Sequence, residues 1–300
     1  MPSQYGLLEE QPSMPPSPEC YSAVAKALSD AAVANLPCDI DIHYGQHPAQ
    51  RLDVFHPENS ATASEPCPVL IGIHGGNWSH GYKEWSGFGA GPIVKAGAIF
   101  ISIEYRLSGV AKWPAQLDDC LAAVSWIHKN IAKYGGDPGR IFIGGHSAGG
   151  HLAAMVTLSK QRFPEFQLPP DVIKACFPYA GTYDVRHGGL FATDPNVGPG
   201  DALLESQDDA ESASPMCLTA GNTTPFFVTW GERDSPGMLA HGPPFVLALR
   251  NAPGRVENRM AAGLDHFHMH LDQVNPKNHL NRVALAWMFG DPKTTPVPPV

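Results

Sequence analysis

The sequence is short of charge. Only 16% of its 300 residues are Asp, Glu, Lys or Arg, while 43% are hydrophobic; a typical soluble domain carries about 25% charged residues. A disordered chain has the opposite balance, so disorder is excluded for the bulk of the sequence. It also lacks basic runs. Twenty Lys and Arg stand against 29 Asp and Glu, a net charge of −9, which removes the electrostatic footprint of a nucleic-acid binder and of a protein drawn to anionic membranes. The cysteines Cys20, Cys38, Cys67, Cys120, Cys176 and Cys217 form no CxxC pair and no short metal spacing. Residues 1–25 hold no Lys, no Arg and no apolar core, so they do not read as a signal peptide, and the cysteines read as free thiols in a reducing cytoplasm. No membrane span is expected either. Residues 141–159 are free of formal charge but contain His146, His151 and a set of glycines, the pattern of a strand, a turn and a helix.

What is there is an α/β pattern rich in turns, with 30 Gly and 30 Pro. Residues 1–38 read as an N-terminal arm, loosest over the Pro- and Ser-rich residues 1–19, and residues 291–300 as a proline-rich tail. Between them, 39–45 and 51–57 alternate apolar and polar residues, which predicts an antiparallel pair at a sheet edge. The apolar runs 68–75, 98–106, 140–147, 173–181 and 225–232 suit strands buried on both faces of a parallel sheet. Leu117, Leu121, Val124, Ile127 and Ile131 recur at helical spacing, predicting a helix over 113–134 stopped by Gly135-Gly136. A last helix is expected from Asn275-Pro276, with Leu280, Val283, Ala284, Trp287 and Met288 on one face. Residues 39–290 thus form one domain, a mostly parallel sheet flanked by helices. Residues 186–222 read as a polar excursion, a minimal cap over a site.

The strongest chemical signal is Gly145-His146-Ser147-Ala148-Gly149, a G-x-S-x-G turn between an apolar strand and a helical pattern. A sharp turn there strains the backbone at the serine, and the flanking glycines remove side chains that would clash. A second signal, His74-Gly75-Gly76-Asn77-Trp78, follows an apolar strand; a glycine-rich loop lets backbone N–H groups approach an oxyanion. Gly76, Asn77 and Ala148 are the expected donors. A serine nucleophile needs a base, and the base an orienting acid. After the last strong strand, Glu232-Arg233-Asp234 offers Asp234 as the acid, with Glu232 the alternative. Downstream, the segment from Gly263 to His270 offers His266 as the base, with His268 second. His266, His268 and His270 at spacing two also raise a metal site on one face of a strand, but no carboxylate or cysteine completes it, so no metal is expected. His146 and His151 read as packed or hydrogen-bonded. Trp78, Tyr82, Trp85 and Phe88 either line an apolar substrate pocket or pack in the core.

The motifs HGGNW (74–78), EYRL (104–107), WPAQLDDCLAAVSWI (113–127), YGGDPGRI (134–141), GGHSAGGHLAA (144–154), ESASP (211–215) and GERD (231–234) resemble the esterase/lipase branch of the α/β-hydrolases, which includes carboxylesterases and kynurenine formamidase-like enzymes. The resemblance spans residues 39–290 and implies an α/β-hydrolase fold, a triad of Ser147, Asp234 and His266, no cofactor, and a small-molecule ester or amide as substrate. The hormone-sensitive-lipase branch has HGGG and the kynurenine formamidases HGGYW, so Asn77 departs from both. Ester hydrolysis is the leading reading, formamide hydrolysis the rival, and a catalytically silent binder the reading from another class. The low charge content points weakly to a homo-oligomer.

Overall fold

The computed structural model describes residues 18–187 and 199–299. The apolar runs become the interior of one eight-stranded sheet. In chain order its strands are β1 (Cys38–His43), β2 (Arg51–Phe55), β3 (Cys67–Ile73), β4 (Ile99–Ile103), β5 (Gly136–His146), β6 (Ile173–Tyr179), β7 (Phe226–Gly231) and β8 (Val256–Ala261). Across the sheet the order is β1-β2-β4-β3-β5-β6-β7-β8. β1 and β2 are antiparallel at one edge, β2 meets β4 antiparallel, and every later pairing is parallel. The helices are α1 (Pro18–Asn35), α2 (Glu84–Gly87), α3 (Ala90–Lys95), α4 (Ala115–Asn130), α5 (Ala148–Leu158), α6 (Pro236–Arg250), α7 (His266–Leu271) and α8 (His279–Phe289).

Burial explains which elements form where. Every residue of β4 and β7 is buried, which is why these strands read as continuous apolar runs. In α4 the expected stripe of Leu117, Leu121, Val124 and Ile127 is buried, and Ile131 extends it into a 3-10 turn ended by Gly135 at φ 80°. β8 is a half-exposed edge strand of sequence VENRMA, and the sequence reading contains no strand there. Beside β2, Lys83 is sunk among Asp53 and Glu84, with ammonium–carboxylate distances of 2.9 and 2.7 Å. Burial alone would lower the Lys83 pKa, but the two carboxylates outweigh it and raise it above its ordinary value.

Several expectations change. Residues 18–35, assigned to an arm, form α1, which lays Tyr21, Ala25 and Ser29 against the body at helical spacing; the expectation of a loose arm over residues 1–17 lies outside the described residues. The last helix begins at His279, not at Asn275. Asn278 caps it by accepting from the Leu280 and Asn281 N–H groups at 2.8 and 3.4 Å, and Asn275 is spent in the turn before it, accepting from the Asn278 N–H. In the expected excursion, 188–198 lie outside the described residues. Residues 199–222 are short 3-10 turns pinned to the body: Trp113 N–H donates to Leu203 O at 3.1 Å, and Val185 N–H to Ser214 Oγ at 2.9 Å. The tail is tied down by Arg255, which donates to Pro292 O and Thr295 O. The five cysteines whose side chains are described, Cys38, Cys67, Cys120, Cys176 and Cys217, are free thiols. Among the described residues no helix is long and apolar enough to cross a membrane.

Candidate active site

β3 and β5 are neighbours in parallel register, with Ile73 opposite Gly145. The loop after one and the turn after the other therefore leave the sheet side by side at its carboxyl edge. Ser147 sits at the turn with φ 55° and ψ −119°, a conformation that non-glycine residues adopt only where the surroundings over-determine it. Here the surroundings do so. A Cβ on Gly145 would lie 2.4 Å from Gly149 O, and one on Gly149 would lie 2.1 Å from Ile73 O. Both positions exclude a side chain, and the backbone closes into a tight strand-to-helix bend. Ser147 N–H is held by Tyr179 O at 3.1 Å, its side chain is half-buried, and α5 begins at the next residue, its positive dipole end beneath the hydroxyl.

The His74–Trp78 loop lies against this turn: a Cβ on Gly75 would touch His146 O at 2.9 Å and Ser147 Cβ at 3.1 Å. Gly76, Asn77 and Trp78 all have positive φ, at 117°, 51° and 57°. Asparagine is among the residues that tolerate this region, so Asn77 fits its φ of 51°. Trp78 tolerates it because its ring is sealed in the core and its Nε1–H donates to His151 Nδ1 at 3.1 Å. Among the described residues no hydrogen bond is donated by the N–H groups of Gly76, Asn77 or Ala148. Behind the loop His74 is clamped. Its ring bonds Gly75 O at 2.7 Å and Glu104 Oε1 at 2.8 Å, and stacks on Tyr105 at 4.3 Å. Glu104 also accepts from Lys83 N–H and Tyr105 N–H, both at 3.1 Å. The sequence reading assigned Glu104 no part; its signal was a lone carboxylate directly after the uncharged run that forms β4.

Asp234 follows β7 and His266 opens α7, so both arrive at the same edge of the sheet. His266 Nδ1 lies 3.1 Å from both carboxylate oxygens of Asp234. The Asp234 side chain is fully buried, and that of His266 is 21% exposed, so the imidazole is partly open to solvent. The alternatives point elsewhere. Glu232 is exposed and accepts from Gly263 N–H at 2.7 Å; His268 is exposed and bonds Asp265 at 2.7 Å. Residues 266–271 are helical, so the strand face needed for the metal alternative does not form. Among the described residues no cluster of three His, Cys, Asp or Glu could hold a metal ion. The two remaining histidines are both hydrogen-bonded. His151 receives Trp78 and bonds Ala213 O at 2.7 Å, and burial pushes its pKa down to about 4. His146 bonds the His266 carbonyl at 2.8 Å.

Of the four aromatic residues named for a pocket, all are buried. Tyr82, Trp85 and Phe88 pack around Tyr21 of α1, and Trp78 lies in the main core. Phe88 alone of them borders a cavity of about 40 Å³ behind β5, lined also by Gly145, Tyr179 and His270.

Residues 52–239 match the BD-FAE family model. Among curated proteins, Esterase LipQ of Mycobacterium tuberculosis is 33% identical over 71% of this chain and 52% of its own length. Kynurenine formamidase of Danio rerio is 27% identical over 84% of this chain and 82% of its own. The chain spans about half the length of the curated esterases it matches. Among solved structures, a Pyrobaculum calidifontis esterase superposes with a TM-score of 0.70 at 21% identity, covering 99% of both chains.

Proposed function

Because this chain belongs to the BD-FAE family and has the α/β-hydrolase fold, we propose that it is a serine hydrolase cleaving carboxylic esters of small or medium substrates. Ser147 Oγ attacks the ester carbonyl while His266 Nε2 takes its proton. Asp234 steers the imidazole and stabilises the cation that forms. The N–H groups of Gly76, Asn77 and Ala148 hold the oxyanion, each such donor contributing about 2.7–4 kcal/mol in the transition state. His266 returns its proton to the departing alcohol, leaving an acyl group on Ser147. Water, deprotonated by His266, then releases the acid.

The observation that carries this reading is the buried Asp234 carboxylate facing His266 Nδ1 at 3.1 Å, on a histidine whose carbonyl is bonded by His146, the residue before a serine on a strained turn. Labelling with a fluorophosphonate, followed by peptide mass analysis, tests it. An adduct on Ser147 and loss of p-nitrophenyl ester hydrolysis in Ser147→Ala are expected. An unlabelled, inactive protein would instead be a binder on a hydrolase scaffold.

A second reading has its own support. The formamidase relatives are matched over more than four fifths of both chains, whereas the esterase relatives are matched over about half of theirs. The same machinery cleaves an N-formyl aryl amide, with an arylamine leaving. Parallel kcat/KM measurements on a p-nitrophenyl ester series and an N-formyl arylamine separate the two, and a strong preference for the formamide refutes the ester assignment.

A further inference from the structure

His266 is held at two places. Asp234 holds its ring; its main chain is held by a different group. His146 Nε2 lies 2.8 Å from His266 O. A carbonyl only accepts, so His146 is the donor and its Nε2 carries the proton. His146 immediately precedes Ser147, so one dipeptide carries both the nucleophile and a clamp on the base. The clamp is itself backed by other rings. His146 stacks on His270 with ring centroids 4.5 Å apart and planes within 22°. His270 Nδ1 shares a hydrogen bond of 2.5 Å with the Tyr21 hydroxyl of α1. Tyr21 is wedged between Phe267 at 4.8 Å and the edge of Trp85 at 5.2 Å, and Phe88 closes on His270 from the other side at 4.8 Å. Neither His146 nor His270 is needed to transfer a proton in the proposed reaction. Burial, reinforced by the neighbouring imidazoles, pushes His270 down to about 3 and His146 well below the usual histidine range, so both rings are neutral at physiological pH.

We propose that Tyr21, His270 and His146 are positioning residues that fix the main chain of His266 relative to Ser147, which makes the N-terminal helix α1 part of the hydrolytic apparatus. The inference rests on the serine-hydrolase reading above. Its physical basis is the tolerance of proton transfer to distance: a misplacement of about 1 Å can cost about 100-fold in rate. α7 has six residues; besides the His146 bond, its first turn is tied to other elements by the His266–Asp234 hydrogen bond and by Phe267 packing on Tyr21, while Asp265 caps it from within. Loss of the His146 clamp frees the base to swing about the Asp234 carboxylate. The Michaelis complex, made by other groups, is spared.

The test uses the full chain, with rates expressed per Ser147 labelled by the fluorophosphonate. His146→Leu removes the donor, and His146→Gln retains an N–H at nearly the reach of Nε2. The expected result is a 10- to 100-fold fall in kcat for His146→Leu with KM within threefold, by the same positional argument, and recovery of most of that loss in His146→Gln. Tyr21→Phe deletes a single hydroxyl on α1 and leaves the ring packing. It is expected to lower kcat by about threefold or more with KM unchanged, and it decides the matter if His146→Leu does not fold. The inference is overturned if kcat per labelled site stays within twofold of the parent in the folded variants, if the loss falls on KM, or if His146→Gln is no better than His146→Leu. Ser147→Ala separates the two levels of argument: hydrolysis surviving in that variant refutes the serine-hydrolase reading itself.

Discussion

Replacing Gly76 by alanine tests the proposed oxyanion role of the His74–Trp78 loop at its narrowest point. Gly76 has φ 117°, and a Cβ there would stand 2.1 Å from His80 O and 2.5 Å from the His80 carbonyl carbon. Both atoms belong to the main chain, so no side chain can rotate away. The two residues are also clasped, with His80 N–H donating to Gly76 O at 2.8 Å. Admitting a methyl group therefore opens the loop. The unfavourable backbone region costs about 1–3 kcal/mol, and withdrawing one oxyanion donor costs a further 2.7–4 kcal/mol or about 10²–10³ in kcat. We expect Gly76→Ala to lower kcat on a p-nitrophenyl ester by about 100- to 1,000-fold, while circular dichroism shows a folded protein with a depressed Tm. Gly237 is the matched control. It lies in α6 with nothing beyond its chain neighbours within 4 Å of its missing Cβ, so Gly237→Ala is expected to keep kcat and to add up to about 1 kcal/mol of stability. A folded Gly76→Ala retaining kcat within tenfold of the parent would remove this loop from the oxyanion site and refute the reasoning.

Three further predictions follow from the same geometry. Asp234→Asn replaces the group facing His266 Nδ1 with an amide of equal size; kcat is expected to fall about 10³–10⁴-fold with fluorophosphonate labelling slowed in parallel, and a loss below tenfold counts against a triad. Stability is expected to fall as pH drops from about 6.5 to 4, because His151 and His241 are pushed down to about 4 and His270 to about 3, chiefly by burial. The unfolded chain binds protons there that the folded chain refuses, at up to about 1.4 kcal/mol per pH unit for each group. The raised carboxyls of Asp53 and Glu84 act in the other direction but are fewer. A urea midpoint at pH 5 equal to that at pH 7.5 would contradict this. Lys83→Met leaves Asp53 and Glu84 buried without their cation, a lesion of about 3–5 kcal/mol. The deficit should be larger at pH 8 than at pH 5, where both carboxyls, raised by burial, fold closer to neutral; a denaturant midpoint unchanged at pH 8 would show that the buried ion group is dispensable.

What could be read from the sequence was what folds locally or is buried on all sides. The runs that became β3, β4, β5, β6 and β7 are apolar on both faces because helices cover both faces, so burial wrote them into composition. The turn at Ser147 was legible for a related reason: its constraints lie within a few residues, with the glycines at 145 and 149 required by backbone contacts as close as 2.1 Å. β8 was not, because an edge strand half open to water carries Glu257, Asn258 and Arg259 between its apolar residues. α1 was not, because the face it buries is built partly of Ala25 and Ser29, which give a weak hydrophobic period. In the site, order along the chain narrowed the candidate acid and base to a few residues, but Asp234 and Glu232 differ in burial and partner, which spacing does not encode. The restraints on His266 were the least legible of all. They join residues 120 apart at His146–His266 and 249 apart at Tyr21–His270. A local motif can announce a nucleophile because one tight bend suffices to present it. A base must be aimed by the rest of the molecule, and the groups around His266 come from positions 21, 146 and 234, far apart along the chain.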